Sequence, residues 1–368
     1  MKTIRDIPKL QGKHVLLRMP LNVPVDASGN ITDDFRIQKA LPTIEFLRQK
    51  GAKIIVLSHI GREPEETLRG VAAYLNTKFP LTFIEDIMSE EAKEKVAGMA
   101  EGDVIIFENL RRWPGETAND PDFAKHLASF GDLYIDDDFP AAHRAHASIT
   151  GIAEHLPSYA GFQFTTEVEQ LSKVFNPEHP FLFILGGAKV ETKLPLLEKI
   201  TKQADTVFVG GVLANDFLKA KGINVGKSVT SKESVPADLL HSESLFLPAD
   251  LRLKDGGQNA VGLDEVGEED MIYDIGPKSV EMILEKIKDA KLILWNGPLG
   301  FCEKGFCKST EEVARAVAES EGYSIIGGGD TIAALPSAME EIDFISTGGG
   351  AMLDFLANQT LPGIEVLQ

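Results

Sequence analysis

Ser324-Ile325-Ile326-Gly327-Gly328-Gly329-Asp330-Thr331 is followed, after a helix-like run, by Phe344-Ile345-Ser346-Thr347-Gly348-Gly349-Gly350-Ala351-Met352-Leu353. Both stretches share one grammar: a short apolar strand, three glycines, then a helix. Without a Cβ in the way, backbone N–H groups in such loops can approach an oxyanion. The following helix aims the positive end of its dipole at the same spot. The first copy ends in Asp330-Thr331, a carboxylate suited to Mg²⁺ and a hydroxyl suited to phosphate oxygens. Neither copy ends in the Gly-Lys-Ser/Thr of a Walker A loop.

The same grammar runs upstream. Apolar strands are read at His14–Arg18, Lys53–Ser58, Val104–Phe107, Asp132–Ile135, Phe181–Leu185, Asp205–Val209, Ser244–Leu247 and Lys291–Trp295. Helices are read between Asp34 and Gly51 (Ile37, Ala40, Leu41, Ile44 and Leu47 on one face), at Glu65–Asn76, Thr165–Phe175 and Ser309–Ser320, with others opening near Glu191 and Pro277. Alternating strands and helices imply α/β architecture with a mostly parallel sheet covered on both faces. Ligands in such folds bind beyond the carboxyl ends of the strands. Arg62, Arg111 and Arg144 follow strand ends, Arg18 closes a strand and Arg36 opens a helix. Five arginines are expected on one rim, a grip for a small, multiply anionic substrate. Leu156-Pro157 and Gly161 mark a domain boundary, with the Thr165–Phe175 helix as connector.

The chain has 368 residues, 43% hydrophobic and 25% charged, which suits two soluble domains. A net charge of −19 argues against nucleic acid or anionic membrane as a partner. No apolar run approaches the ~18 residues of a membrane helix, and the N-terminus lacks a signal-peptide core. Cys302 and Cys307 are expected as reduced, buried thiols of a cytoplasmic protein rather than a redox pair. Asp136-Asp137-Asp138 with His143 and His146 has the composition of a metal cluster, but carboxylates at a strand end are expected to be solvated. Neither an elbow-type Ser/His/Asp order nor a hydride-cofactor fingerprint is present. Gly loops, Lys189 and Lys193 in one half and arginines in the other favour phosphoryl transfer, which needs positioning and charge neutralisation above all.

Taken together and in order, Leu21-Asn22-Val23-Pro24, Ser58-His59-Ile60-Gly61-Arg62, Glu108-Asn109-Leu110-Arg111, Ala142-His143-Arg144-Ala145-His146-Ala147-Ser148, Gly186-Gly187-Ala188-Lys189-Val190, Trp295-Asn296-Gly297-Pro298 and the two glycine loops give a chain that resembles the phosphoglycerate kinase family over essentially its whole length. The resemblance implies two doubly wound parallel-sheet domains joined by a hinge helix: residues 1–160 with a C-terminal tail 355–368 for 3-phosphoglycerate, and residues 161–354 for the nucleotide. It implies reversible transfer between 1,3-bisphosphoglycerate with MgADP and 3-phosphoglycerate with MgATP, with domain closure expelling water. It implies Asn22, Arg36, His59, Arg62, Arg111 and Arg144 on the acid, and Arg36, Lys189, Lys193 and Gly348, Gly349 and Gly350 at the transferring group. Lys193, Gly211, Asn296, Pro298, Leu299, Glu303, Gly327, Gly328, Gly329, Asp330 and Thr331 would bind nucleotide, with Asp330 on Mg²⁺. A cytoplasmic monomer is the family expectation. A weakened homologue that only binds nucleotide, and a kinase of another small carboxylate, are the alternatives.

The chain departs from the family pattern chiefly on the acid side. Pro20 stands where the family usually has an Asp that would contact the substrate hydroxyl. Asp136-Asp137-Asp138-Phe139-Pro140-Ala141 replaces the usual Asn-Asp-Ala-Phe-Gly-Thr, adding negative charge beside an anion site. Glu63 stands for a usual Pro, Arg112-Trp113 for Phe-His and Cys302 for Phe, and the chain is shorter between Ser228 and Leu245. An active kinase with altered affinity for the acid is expected. Steady-state kinetics of Pro20→Asp check this: the Michaelis constant for 3-phosphoglycerate changes in the reversion, whereas an unchanged constant sinks the idea.

Overall fold

In β1 (His14–Arg18), Val15 and Leu17 enter one apolar cluster and Leu16 enters another. β2 (Lys53–Leu57) alternates the same way, Ile54 and Val56 against Ile55 and Leu57. Successive side chains of a strand point to opposite faces, so these near-continuous apolar runs need cover on both sides, as parallel strands do. The structure, a computed structural model, describes residues 1–26, 28–188, 190, 193–232, 234–253, 260–335 and 340–368. The chain forms two units, Met1–Glu169 with Thr360–Gln368, and Gln170–Gln359. The change falls within the helix Phe162–Ser172.

The first unit adds β3 (Thr82–Ile84), β4 (Val104–Phe107), β5 (Leu133–Asp136) and β6 (Ser158–Ala160) to a six-stranded sheet of order β3-β4-β2-β1-β5-β6. Every neighbouring pair is parallel. Helices Phe35–Gln49, Arg69–Asn76, Glu90–Ala97 and Pro121–Ala128 carry the chain between β1 and β5. The tail returns here: Leu367 O accepts from Lys2 N at 2.8 Å and Gly363 N donates to Ala142 O at 2.9 Å.

The second unit builds a matching parallel sheet from β7 (Phe181–Leu185), β8 (Thr206–Val209), β9 (Leu245–Phe246), β13 (Leu292–Asn296), β14 (Tyr323–Gly327) and β15 (Phe344–Ser346), in the order β15-β14-β13-β7-β8-β9. Sequence periodicity misses a third, antiparallel sheet of β10 (Asp250–Leu253), β11 (Val261–Gly262) and β12 (Ile272–Ile275). Its strands are two to four residues long, too short for an alternating pattern to stand out. The helix expected from Glu65 begins at Arg69, because the buried Glu108 carboxylate holds Thr67 Oγ1 and Leu68 N in an irregular turn.

β10 also fixes the start of the helix Pro277–Asp289. The buried Asp250 carboxylate accepts from Lys278 N at 3.0 Å, Ser279 N at 2.9 Å and Ser279 Oγ at 2.7 Å. Asp250→Ala is expected to cost about 1–2 kcal/mol, seen as a lower denaturant midpoint with an unchanged slope.

Candidate functional site

Parallel strands point one way, so the loops after β4, β2, β1 and β5, neighbours in that order, share one edge of the first sheet. Those loops carry Arg111, His59 with Arg62, Asn22, and Arg144. Asn22 Oδ1 accepts from Gly61 N at 2.9 Å. Arg36, at the start of its helix, donates to Asn22 O at 2.8 Å, and Arg111 donates to Gly61 O. Asn109 clamps Ile60 from both sides, at 3.2 and 3.0 Å. Gly61 has a φ of 64°, and a Cβ there would overlap the Glu66 carboxylate, so only glycine allows this turn.

The edge is strongly cationic. Burial pushes the His59 imidazole well below its usual range, helped by Arg18, Arg111 and Arg144. His146 is pushed down to about 4 by burial and then by Arg144, Arg18 and Arg111. Arg111 is lowered by burial and then by Arg144 and Arg18; burial likewise lowers Arg144. Cations that disfavour each other's charge define a place for an anion. Arg62 is exposed, while Asn22, Arg36, Arg111 and Arg144 are half-buried.

Two sequence expectations fail here. Arg18 is not on the rim: it is 1% exposed and paired with Asp138 at 2.6 Å. It also donates to Ser148 Oγ at 3.0 Å and Met19 O at 3.1 Å, and bonds His59 Nδ1 at 2.9 Å. Nor are the three acids solvated, since Asp136, Asp137 and Asp138 are all buried. Asp138 serves Arg18, so its charge is compensated internally. Asp137 accepts from Phe164 N at 3.0 Å and Asp136 from Asp138 N at 2.9 Å. Burial pushes both carboxyls up to about 7. Asp136 ends β5 in register with Arg18 at the end of β1, a pairing the sequence alone does not reveal.

In the second unit, Lys193 is buried and its amine donates to Gly186 O. A Cβ at Gly187 or Gly297 would lie 2.8 or 2.9 Å from that amine. Lys193 is the N-cap residue of the helix Leu194–Ile200; Glu191, near which a helix is expected to open, lies outside the described residues. Lys189 lies outside the described residues. The two glycine loops meet: a Cβ on Gly349 would stand 3.5 Å from Gly328 Cα. Gly328 has a φ of 103°, closed to other residues. Gly348 precedes the ten-residue helix Gly349–Asn358, whose first N–H groups lack intrahelical partners. Around Gly350 there is open space.

Gly211, Pro298, Leu299, Glu303 and Asp330 line a cavity of about 510 Å³. Its apolar wall includes Leu251, Ile272 and Phe301, partly supplied by the antiparallel sheet that periodicity misses. Asp330 and Glu303 are exposed. Asn296, Gly327 and Thr331 sit deeper: Thr331 Oγ1 accepts from Gly297 N at 2.7 Å, and a Cβ on Gly327 would meet Met352 Sδ. Gly329 opens a short helix whose Thr331 and Asp330 project to these opposite depths.

Cys302 and Cys307 are not free thiols. They form a disulfide, Cα–Cα 4.4 Å, and are half-buried on the cavity wall on either side of Glu303. The turn Cys302–Lys304 and left-handed Gly305 fold the five-residue interval back on itself. Sequence reading also misses Glu116, which is buried and accepts from Ser148 N at 3.0 Å and Ser148 Oγ at 2.6 Å. No local signal marks it. Among the described residues no cluster of three or more His, Cys, Asp or Glu is arranged to hold a metal.

A family model described as phosphoglycerate kinase matches residues 4–359. Phosphoglycerate kinases of Dictyoglomus turgidum and Azorhizobium caulinodans are each 41% identical, covering all of this chain and 99% and 100% of theirs. The phosphoglycerate kinase structure from Pyrococcus horikoshii OT3 superposes with a TM-score of 0.88 at 33% identity, over 100% of this chain and 98% of that one. That from Coxiella burnetii gives 0.84 at 36%, over 99% and 98%.

The buried acids predict a pH dependence. Asp136 and Asp137 hold protons more tightly folded than unfolded, so their contribution is complete below about pH 4 and is lost as pH rises through about 7. His59 and His146, both lowered, act with the opposite sign over part of the same window, so the check is the difference between variants: relative to wild type, Asp137→Asn, which keeps an acceptor for Phe164 N, gains apparent melting temperature as pH rises from about 4 to about 7.

Proposed function

The chain belongs to the phosphoglycerate kinase family, and from that premise we propose how its residues divide the family's reaction. It is a phosphotransferase of glycolysis, moving a phosphoryl group between the acyl phosphate of 1,3-bisphosphoglycerate and ADP, and back from ATP to the carboxyl group of 3-phosphoglycerate.

The first unit holds the acid. Arg62, Arg111 and Arg144 take its phosphate and carboxylate through charge-assisted hydrogen bonds, with Asn22 and His59 orienting it. Arg36 serves the carboxyl end, where the phosphoryl group arrives. The support is that burial, and after it neighbouring arginines, lowers Arg111, Arg144, His59 and His146 at one sheet edge. The second unit holds the nucleotide. The base lies in the apolar cavity against Gly211, Pro298 and Leu299, with Glu303 on the ribose and Gly327, Gly328 and Gly329, Asn296 and Thr331 shaping the phosphate end. Lys189, Lys193 and the N–H groups of Gly348, Gly349 and Gly350 neutralise the transferring phosphoryl. The observation that carries this is the convergence of the Lys193 amine with the loops at Gly186 and Gly297.

Asp330 is exposed on the cavity wall, which fits Mg²⁺ held by one protein carboxylate, nucleotide phosphates and water. Bound there, Mg²⁺ would neutralise phosphate charge. The chain is further proposed to act as a cytoplasmic monomer. Its exposed large apolar residues, Met1, Val25, Met88 and Val229, are scattered, and among the described residues no helix is long and apolar enough to cross a membrane. With a disulfide in place of free thiols, the compartment rests on the glycolytic reaction rather than on the cysteines.

Turnover of MgATP with 3-phosphoglycerate, coupled to NADH oxidation, tests the assignment. Wild type turns over within the usual ~1–10³ s⁻¹. Lys193→Ala loses about 10²–10³ in kcat while calorimetry still detects MgATP; a variant with wild-type kcat removes Lys193 from the transfer.

A further inference from the structure

His59 is 6% exposed, and its Nε2 is buried with no hydrogen-bond partner among the described residues. Its other ring nitrogen, Nδ1, lies 2.9 Å from Arg18 Nη2. A guanidinium can only donate, so Nδ1 must be the acceptor and carries no proton. A neutral imidazole with a bare Nδ1 has its proton on Nε2. Arg18 cannot turn away, because Asp138 holds Nη1 at 2.6 Å and Ser148 holds Nε at 3.0 Å. Ser148 is itself held by Glu116.

We propose that Asp138, acting through Arg18, is a positioning residue of the acid site: the pair fixes His59 as a neutral ring whose Nε2–H donates to an oxygen of the bound phosphoglycerate. This rests on the reading of the first unit as the acid site. It assigns a function to a carboxylate that the sequence marks as added negative charge, expected to be solvated rather than a metal ligand. The groups around His59 agree. Arg18 from β1, Arg111 from the turn after β4, and Arg144 and His146 from the loop after β5 all oppose a second proton on the ring. The carboxylates facing this cluster are Asp138, engaged by Arg18, and behind it Glu116 and Asp136. The acid therefore meets a hydrogen-bond donor that keeps one form on both sides of the ordinary histidine midpoint, about pH 6.5, while its arginines supply the charge.

Nitrogen-15 NMR of the full chain labelled at histidine tests this, with His59 assigned by loss of its signals in His59→Gln. Wild type is expected to show a bare Nδ1 and a protonated Nε2 on both sides of about pH 6.5, and 3-phosphoglycerate is expected to shift the Nε2–H signal. In Asp138→Asn the tautomers mix, and the Michaelis constant for 3-phosphoglycerate rises about tenfold, the scale of one hydrogen bond to a charged ligand, with a smaller change in kcat. Asp138→Glu restores the wild-type tautomer. A protonated Nδ1 in wild type overturns the proposal, even where normal turnover leaves the acid-site reading standing. The stated tautomer without any response to 3-phosphoglycerate overturns the acid-site reading and the proposed ligand with it. Identical behaviour of Asp138→Asn and Asp138→Glu removes the role of Asp138; the wild-type spectrum decides the tautomer should either variant fail to fold.

Discussion

The buried ion pair between Arg18 and Asp138 is the constraint around which the first unit is arranged. Two charges withdrawn from water cost several kcal/mol each unless their remaining hydrogen-bonding capacity is met. Here it is met by the loops that form the site. Arg18 reaches Met19 O, Ser58 Oγ, His59 Nδ1 and Ser148 Oγ as well as Asp138. The ends of β1, β2 and β5 are thereby tied to one guanidinium. Removing either member of such a pair leaves an uncompensated buried charge, a loss of about 3–5 kcal/mol. Asp138, from the end of the neighbouring strand β5, meets Arg18.

A protein of net charge −19 that binds two anionic substrates must concentrate its cations. The first unit does this with half-buried arginines, whose low-dielectric surroundings strengthen each contact. The second relies more on the backbone. Glycines at Gly187, Gly297, Gly328 and Gly349 let separate loops crowd around the Lys193 amine and each other, and the helix Gly349–Asn358 adds its N-terminal N–H groups. On the proposed assignment, side-chain charge would meet one substrate and backbone donors the other, which suits a reaction in which positioning and charge neutralisation dominate.

Much of this was legible because it is local. Strand–glycine–helix spacing marks the loops, and apolar runs bounded by glycine mark β1, β2, β7, β13 and β14 within a residue or so of their ends. The resemblance named candidate site residues without placing them. Where local pattern is weak, reading fails: β10 to β12 are too short to show a period, and the helix after Glu65 is delayed by Glu108, forty residues away in sequence.

By itself the amino-acid sequence determined the α/β class, the parallel sheets and the glycine loops, because backbone preference and side-chain periodicity act over a few residues. Only the tertiary structure decided which charges face solvent and which face each other. Arg18, Asp136, Asp137 and Asp138 look like surface groups until β5 is laid beside β1, and Cys302 and Cys307 look like separate thiols until a turn closes between them. Burial and pairing are properties of the packed sheet, and the free energy of a charge depends on them more than on its neighbours in the chain.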